Sequence, residues 1–231
     1  MKRVCTQEER ELLLKNKKQM LQGINKTTGS DGVGMTVVIY VVPIFIAFAV
    51  MGPFMVMYDL PWIVNGAKEH GVTKIAFEMH PGFCVYNPAT LLRLREAVGD
   101  AIGANFDPSH LIWQGIDPVA AIRALKGAIY HVHAKDTKID KYNTAVNGVL
   151  DTKHYGKELE RSWVFRTVGY GNNESYWRDL VSNLRLCGYD KVLSIEHEDS
   201  VMSIDEGLRK AVSFLQDIVI YEEKPTTMSW A

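Results

Sequence analysis

The chain has 231 residues, 47% of them hydrophobic and 23% charged, with 26 Lys+Arg against 27 Asp+Glu and a net charge of −1. That composition excludes disordered, collagenous and low-complexity classes, and the even charge balance excludes an extended basic surface for nucleic acid or anionic lipid. Three widely spaced cysteines, Cys5, Cys84 and Cys187, make neither a disulfide framework nor a zinc ribbon and point to a reducing, cytoplasmic setting.

Residues 1–34 read as a helical appendage and linker. Thr6 and Glu9 have capping-box spacing at the start of a helix over 6–22, Gly23 stops it, and Asn25 to Gly34 forms a connector. Residues 35–60 are an apolar segment without a single charge from Met35 to Tyr58. It is as long as the roughly 20 apolar residues that span a bilayer. Its Val- and Ile-rich first half, punctuated by Pro43, Gly52 and Pro53, reads better as buried parallel strands, so a membrane partner is not expected.

From residue 61 to 222 the pattern becomes regular. A helix over 61–70 closes at Gly71. A β-rich run over 72–79 leads into a loop, and Asn87-Pro88 caps a helix to Val98. A strand over 101–106, an Asp117-Pro118 capped helix ending at Gly127, and a strand over 128–134 follow. The polar segment from Asp136 to Asn173 then interrupts the rhythm, and loops of nearly forty residues in compact domains usually carry function. A helix over 174–187, a strand over 191–197 and a Ser203/Glu206-capped helix to about Tyr221 complete the region, leaving 223–231 as a tail. Strand–helix alternation with short loops predicts an α/β fold with parallel strands joined by right-handed crossovers.

Each of the four strands ends in acidic or imidazole side chains: Glu78 and His80; Asp107 and His110; His131, His133 and Asp136; Glu196, His197 and Glu198. Five of the seven histidines fall in these windows. In a parallel α/β barrel the C-terminal strand ends converge on one mouth, where active sites are built. Alternation puts Glu78 with His80, His131 with His133, and Glu196 with Glu198 on common faces. A mixed carboxylate–imidazole set suits a divalent ion such as Mn²⁺, Mg²⁺, Co²⁺ or Zn²⁺. Taken singly, Asp107-Pro108 is also ordinary turn chemistry and Glu198-Asp199 an ordinary solvated loop end.

The segments FEMHPG (77–82), NFDPSHLIWQGIDP (105–118), YHVHAKD (130–136), FRTVGYG (165–171) and GYDKVLSIEHEDS (188–200) resemble the sugar phosphate isomerase/epimerase family, the xylose isomerase-like TIM barrels. The resemblance covers roughly 61–222. It implies one divalent metal held by Glu78, Asp107, His133 and Glu196, with His110 contacting substrate beside it. In ketose epimerases of the family the two metal-bound glutamates lie on opposite faces of the substrate, which makes Glu78 and Glu196 the implied acid/base pair. His80, His131, Lys135, Asp136 and Arg166 are candidate substrate contacts or supports. The implied substrate is a small sugar or polyol chelated through vicinal oxygens. Endonuclease relatives need a basic DNA-binding face, which the near-neutral charge here does not supply.

The four ligand strands correspond to the second half of an eight-unit barrel. Four more βα units need about 120 residues, and only about 70 precede Val72, a shortfall of about two units. The expected fold is therefore an incomplete TIM-type (β/α) barrel, truncated, rearranged or completed by a second copy in a homo-oligomer. An inactive barrel serving as a binding or scaffold protein, and a protein tethered to a membrane by 35–58, are the alternatives to an enzyme.

Overall fold

The computed structural model describes residues 61–222. The expectations for the 6–22 helix, the 25–34 connector, the 35–58 run and the 223–231 tail lie outside these residues. Among the described residues no helix is long and apolar enough to cross a membrane.

Four parallel strands carry the fold: β1 (Ile75–Glu78), β2 (Ile102–Phe106), β3 (Ile129–Ala134) and β6 (Leu193–Ile195), hydrogen-bonded in the order β1-β2-β3-β6. Helix α1 over 61–69 precedes β1. Helices α2 (Pro88–Val98), α3 (Pro108–Trp113), α4 (Pro118–Ala124), α6 (Glu174–Leu186) and α7 (Ile204–Ile218) connect and cover the strands. Together they make the parallel α/β arrangement expected from the strand–helix alternation, an open and incomplete barrel as the family resemblance implied.

The helix starts follow from their capping residues. Asn87 Oδ1 accepts from Thr90 N at 2.9 Å while Thr90 Oγ1 accepts from Asn87 N at 3.1 Å, a reciprocal box followed by Pro88 at the first helical position. Asp117 caps α4 through Ala120 N at 2.9 Å. Period-two alternation sorts the strand faces. Ile102, Ala104 and Phe106 of β2, with Val132 and Ala134 of β3, join the apolar core with Leu91, Leu111, Ile122, Leu180 and Leu215 from the helices. The opposite face keeps Glu78, Asn105, His131 and His133. The pairings Glu78↔Asn105 and Asn105↔His131 set these side by side, and a bulge between Ala104 and Asn105 re-aims the end of β2.

Several boundaries differ from the sequence expectation. The strand over 191–197 shrinks to Leu193–Ile195, so Glu196 and His197 sit in the loop just beyond it. The last helix stops at Ile218, three residues early. The short helix α3 was not expected, because Asp107-Pro108 reads as a turn until Ser109 N closes on Asp107 Oδ1 at 2.8 Å.

The segment from Asp136 to Asn173 is not a loop. It forms β4 (Asp136–Ile139) and β5 (Trp163–Arg166), an antiparallel pair, with α5 (Lys141–Asn147) and a 3₁₀ turn (Glu158–Glu160) between them. A second apolar cluster of Trp113, Trp163 and Phe165 fixes this hairpin, with Trp113 and Trp163 stacked at 4.6 Å and 7°.

Candidate metal centre and active site

The four expected ligands come from all four parallel strands. Glu78 is the last residue of β1, Asp107 directly follows β2, His133 is the fifth of six residues in β3, and Glu196 directly follows β6. Glu78 and Glu196 belong to the two outer strands of the sheet. In a flat sheet three strand spacings would separate those strands by roughly 14 Å. Yet one ligand atom from each of Glu78, Asp107, His133 and Glu196 lies within 4.8 Å of the others, so the sheet curls and the side chains reach to a common centre.

The contacts around that centre are specific. His133 Nδ1 lies 3.2 Å from Glu78 Oε2 and 2.9 Å from Glu196 Oε2, between the two glutamates. His110 Nε2 lies 3.3 Å from Glu78 Oε1 and 3.4 Å from Asp107 Oδ2. Asp107 is divided in use: Oδ1 caps α3, and Oδ2 turns into the site.

Three buried atoms decide whether this set fits a cation. Asp107 Oδ2, His133 Nδ1 and Glu196 Oε2 have no hydrogen-bond partner. The 2.9 Å approach of His133 to Glu196 has the length of a hydrogen bond without its alignment, as expected when both lone pairs aim at a shared point. Eight other buried side-chain atoms among the described residues also lack a partner, but these three belong to residues whose ligand atoms converge on one point. One divalent ion would satisfy all three together with Glu78, and a three-carboxylate, one-imidazole donor set suits such an ion.

The electrostatics agree. Hydrogen bonding to His110 and then His133 holds the Glu78 carboxyl far below the usual range, keeping it ionised. Burial pushes Asp107 up against the pull of His110 and Lys135. The close Glu78 carboxylate raises His133 against its burial, with Glu196 and Asp107 adding to the rise.

The supports are equally definite. Lys135, 2% exposed, places Nζ 2.5 Å from Glu198 Oε2, 3.4 Å from Glu196 Oε1 and 3.8 Å from Asp107 Oδ2, over the Phe165 ring at 4.2 Å. Burial opposes its charge, but Asp107, Glu198 and Glu196 outweigh that and raise it. His110 is wedged between His80, at 4.3 Å, and Phe165, at 5.5 Å. His131 stands edge-on to His133 at 5.5 Å, and burial lowers its pKa, followed by the charges of His133 and Lys191.

A cavity of about 540 Å³ opens over this centre. Its polar lining includes Glu78, His110, Lys135 and Glu196, and its apolar lining Phe83, Tyr155, Val164 and Phe165. The hairpin segment thus supplies much of the apolar wall, in line with the expectation that it carries function.

Two of the candidate substrate contacts are placed elsewhere. Asp136 is fully buried, and its carboxylate accepts from Thr137 N, Gly169 N, Gly171 N, Asn172 N, Asn172 Nδ2 and Trp177 Nε1 at 2.7–3.1 Å. It organises the 167–172 turn and has no oxygen left for a substrate. Arg166 Nε is 3.3 Å from Asp199 Oδ2, an oxygen that also accepts from Thr167 N, so this edge of the guanidinium faces the loop after β6, and Arg166 is not among the cavity-lining residues. Their adjacency to HVHAKD and FRTVGYG suggested substrate contact; their own pairing on β4 and β5 turns them to structure.

Sequence reasoning overlooked Asn105, whose Nδ2 lies 3.3 Å from both Glu78 Oε2 and His133 Nε2. Its signal was its place two residues before Asp107 on the β2 face shared with Glu78 and His131. Glu198 was visible as Glu196+2 but read equally well as a solvated loop end.

Comparison with known proteins bears on this geometry. The xylose isomerase-like TIM barrel family matches residues 57–218. The chain belongs to this family. Among its relatives, the uncharacterized protein YfiH of Bacillus subtilis (strain 168) is 44% identical over 157 residues, covering 68% of this chain and 50% of YfiH. The rhizopine catabolism protein MocC of Rhizobium meliloti is 32% identical over 130 residues, covering 56% of this chain and 38% of MocC. This xylose isomerase-like chain therefore spans half or less of the length of these curated relatives. Its fold resembles the crystal structure of a xylose isomerase domain protein from Planctomyces limnophilus (TM-score 0.51, 22% identity, 68% of this chain and 50% of that one). It likewise resembles the IolI protein crystallised with a zinc atom (TM-score 0.51, 22% identity, 69% and 53%).

Proposed function

We propose that this chain carries the metal-binding half of a sugar or polyol isomerase or epimerase, with Glu78 and Glu196 as the proton-transferring pair. The observation that carries the reading is the convergence of Glu78, Asp107, His133 and Glu196 within 4.8 Å, three of them with an unpaired buried atom. A divalent ion bound there acts as a Lewis acid on a substrate oxygen and stabilises charge that develops when a neighbouring carbon loses its proton. Family membership and the zinc of IolI support the same kind of site.

The residues of the chain divide the remaining work. Glu78 and Glu196 arrive from the two outer strands and flank His133, so they face a bound molecule from two sides. One carboxylate removes a proton from carbon and the other returns it, a role worth typically 10²–10⁴-fold for each positioned group. Lys135 steadies the outer oxygen of Glu196, and His110 that of Glu78, so each keeps one oxygen towards the centre. Phe83, Tyr155 and Phe165 offer an aromatic surface for the C–H face of a polyol. An intact set of four converging donors favours an enzyme over an inactive scaffold.

The test is deuterium incorporation at carbon. The Mn²⁺-supplied protein is incubated in D₂O with a panel of ketoses and cyclic polyol ketones, and exchange is followed by NMR. Exchange into at least one compound is expected, falling at least about 100-fold in both Glu78→Gln and Glu196→Gln. No exchange across the panel, or exchange unchanged by both substitutions, contradicts the assignment.

A further inference from the structure

The cavity holds one more carboxylate than the metal needs. Glu198 lines the same cavity as Glu78 and Glu196, but it is not among the four residues that converge on the centre. Its side chain is about half exposed, 48%, whereas its ion-pair partner Lys135 is 2% exposed. Glu198 stands two residues beyond Glu196 in the loop after β6, and Lys135 Nζ contacts both, 3.4 Å from Glu196 Oε1 and 2.5 Å from Glu198 Oε2.

The charge arrangement has a direction. Lys135 is the one Lys or Arg among the described lining residues, and its ammonium is already spent on Glu198, Glu196 and Asp107 behind the cavity surface. With a divalent ion in place, the four carboxylates still outnumber the positive charges of that ion and Lys135. The most exposed member of the set is Glu198, ahead of Glu196 at 35% and Glu78 at 30%. A phosphoryl group brought into this cavity would face a carboxylate whose cationic partner among the described residues, Lys135, is already shared by three carboxylates. A neutral hydroxyl can instead donate a hydrogen bond to that carboxylate, and a charged acceptor strengthens such a bond.

We propose that Glu198 is a specificity-determining residue of this site, admitting uncharged polyols and turning away phosphorylated ones. The inference rests on the metal-centre reading of the preceding section. Specificity of this kind is a difference of affinities, achieved here by an unfavourable charge against the wrong ligand.

The experiment uses glycerol and glycerol 3-phosphate, a vicinal diol without and with the phosphoryl group, on the Mn²⁺-loaded protein. Binding is read by displacement of Mn²⁺-bound water in proton relaxation measurements. Glu198→Gln should bind glycerol 3-phosphate about tenfold more tightly than the unsubstituted protein, the worth of one charge near a half-exposed ligand, while glycerol affinity does not rise and Mn²⁺ affinity stays within about twofold. Glu198→Asp, which keeps the charge, should retain the exclusion. The preference for glycerol in the unsubstituted protein should also shrink as salt is raised, a response that a change in packing would not produce. The proposal is overturned if Glu198→Gln gains no affinity for glycerol 3-phosphate, or if Glu198→Asp gains as much as Glu198→Gln. Failure of the unsubstituted protein to bind Mn²⁺ at all is a separate result, and it removes the metal centre itself.

Discussion

His133 is the residue on which the site turns. Its Nδ1 lies between two glutamates, and the close Glu78 carboxylate raises its pKa above the ordinary imidazole value of 6.5. A metal needs that nitrogen unprotonated, so cation binding displaces a proton and must strengthen as pH rises through the titration of His133. Mn²⁺ titrations between pH 5.5 and 8.5 should show affinity falling towards about tenfold per pH unit on the acid side and levelling on the alkaline side. A flat profile across that range would remove His133 from the ligand set. Asp136 carries the opposite kind of prediction. All its neighbours at hydrogen-bond distance are donors, so Asp136→Asn sets an amide N–H₂ against them. It should lower stability by about 2–4 kcal/mol in urea unfolding, because buried donors lose their acceptor. A loss below about 0.5 kcal/mol would show that the 167–172 turn does not depend on this carboxylate.

At the level of elements, what could be read from sequence tracks local signals. Asn87-Pro88, Asp117-Pro118 and Ser203 announce helices because a cap is a bond between near neighbours, and all three open helices here. The four parallel strands were legible from apolar runs ending in polar residues. β4 and β5 were not, because each is four residues long, β4 reads as the polar DTKI, and the pairing spans about twenty-five residues of sequence. Their stability comes from distant aromatic packing by Trp113 and Trp163, which no local pattern announces. Helix α7 offers the element-scale test. Gly207 faces His197, and a Cβ there would overlap the imidazole. Gly to Ala inside a helix normally stabilises by roughly 1 kcal/mol. At this position Gly207→Ala should instead destabilise, by about 1–3 kcal/mol from overpacking, and should weaken metal binding because His197 directly follows Glu196. A stabilised Gly207→Ala protein with unchanged metal affinity would show that α7 does not brace the ligand loop.

On the scale of the whole molecule, the strand ends were legible as a site, the four candidate ligands were singled out only by the family resemblance, and their geometry was not legible. The order of Glu78, Asp107, His133 and Glu196 along the chain suggested a common mouth, since parallel strands aim their C-terminal ends the same way. That donors from the two outermost strands approach as closely as those from the inner pair depends on the curl of the sheet, a property of packing between helices and strands rather than of any one segment. The same curl makes the loops after β1 and β6 neighbours, so Glu198 shares a cavity with Glu78 and His80. The chain spans half or less of YfiH and MocC, yet its four ligands, their supports and the aromatic wall all lie between Glu78 and Ser200. The claim beneath every other is that these residues hold one cation. The direct measurement is metal stoichiometry by mass spectrometry of elements, on protein purified without chelators and equilibrated with Mn²⁺. One ion per chain is predicted, falling below about one tenth in Glu196→Gln and in His133→Ala. An absence of bound metal, or a stoichiometry that both substitutions leave unchanged, would contradict it.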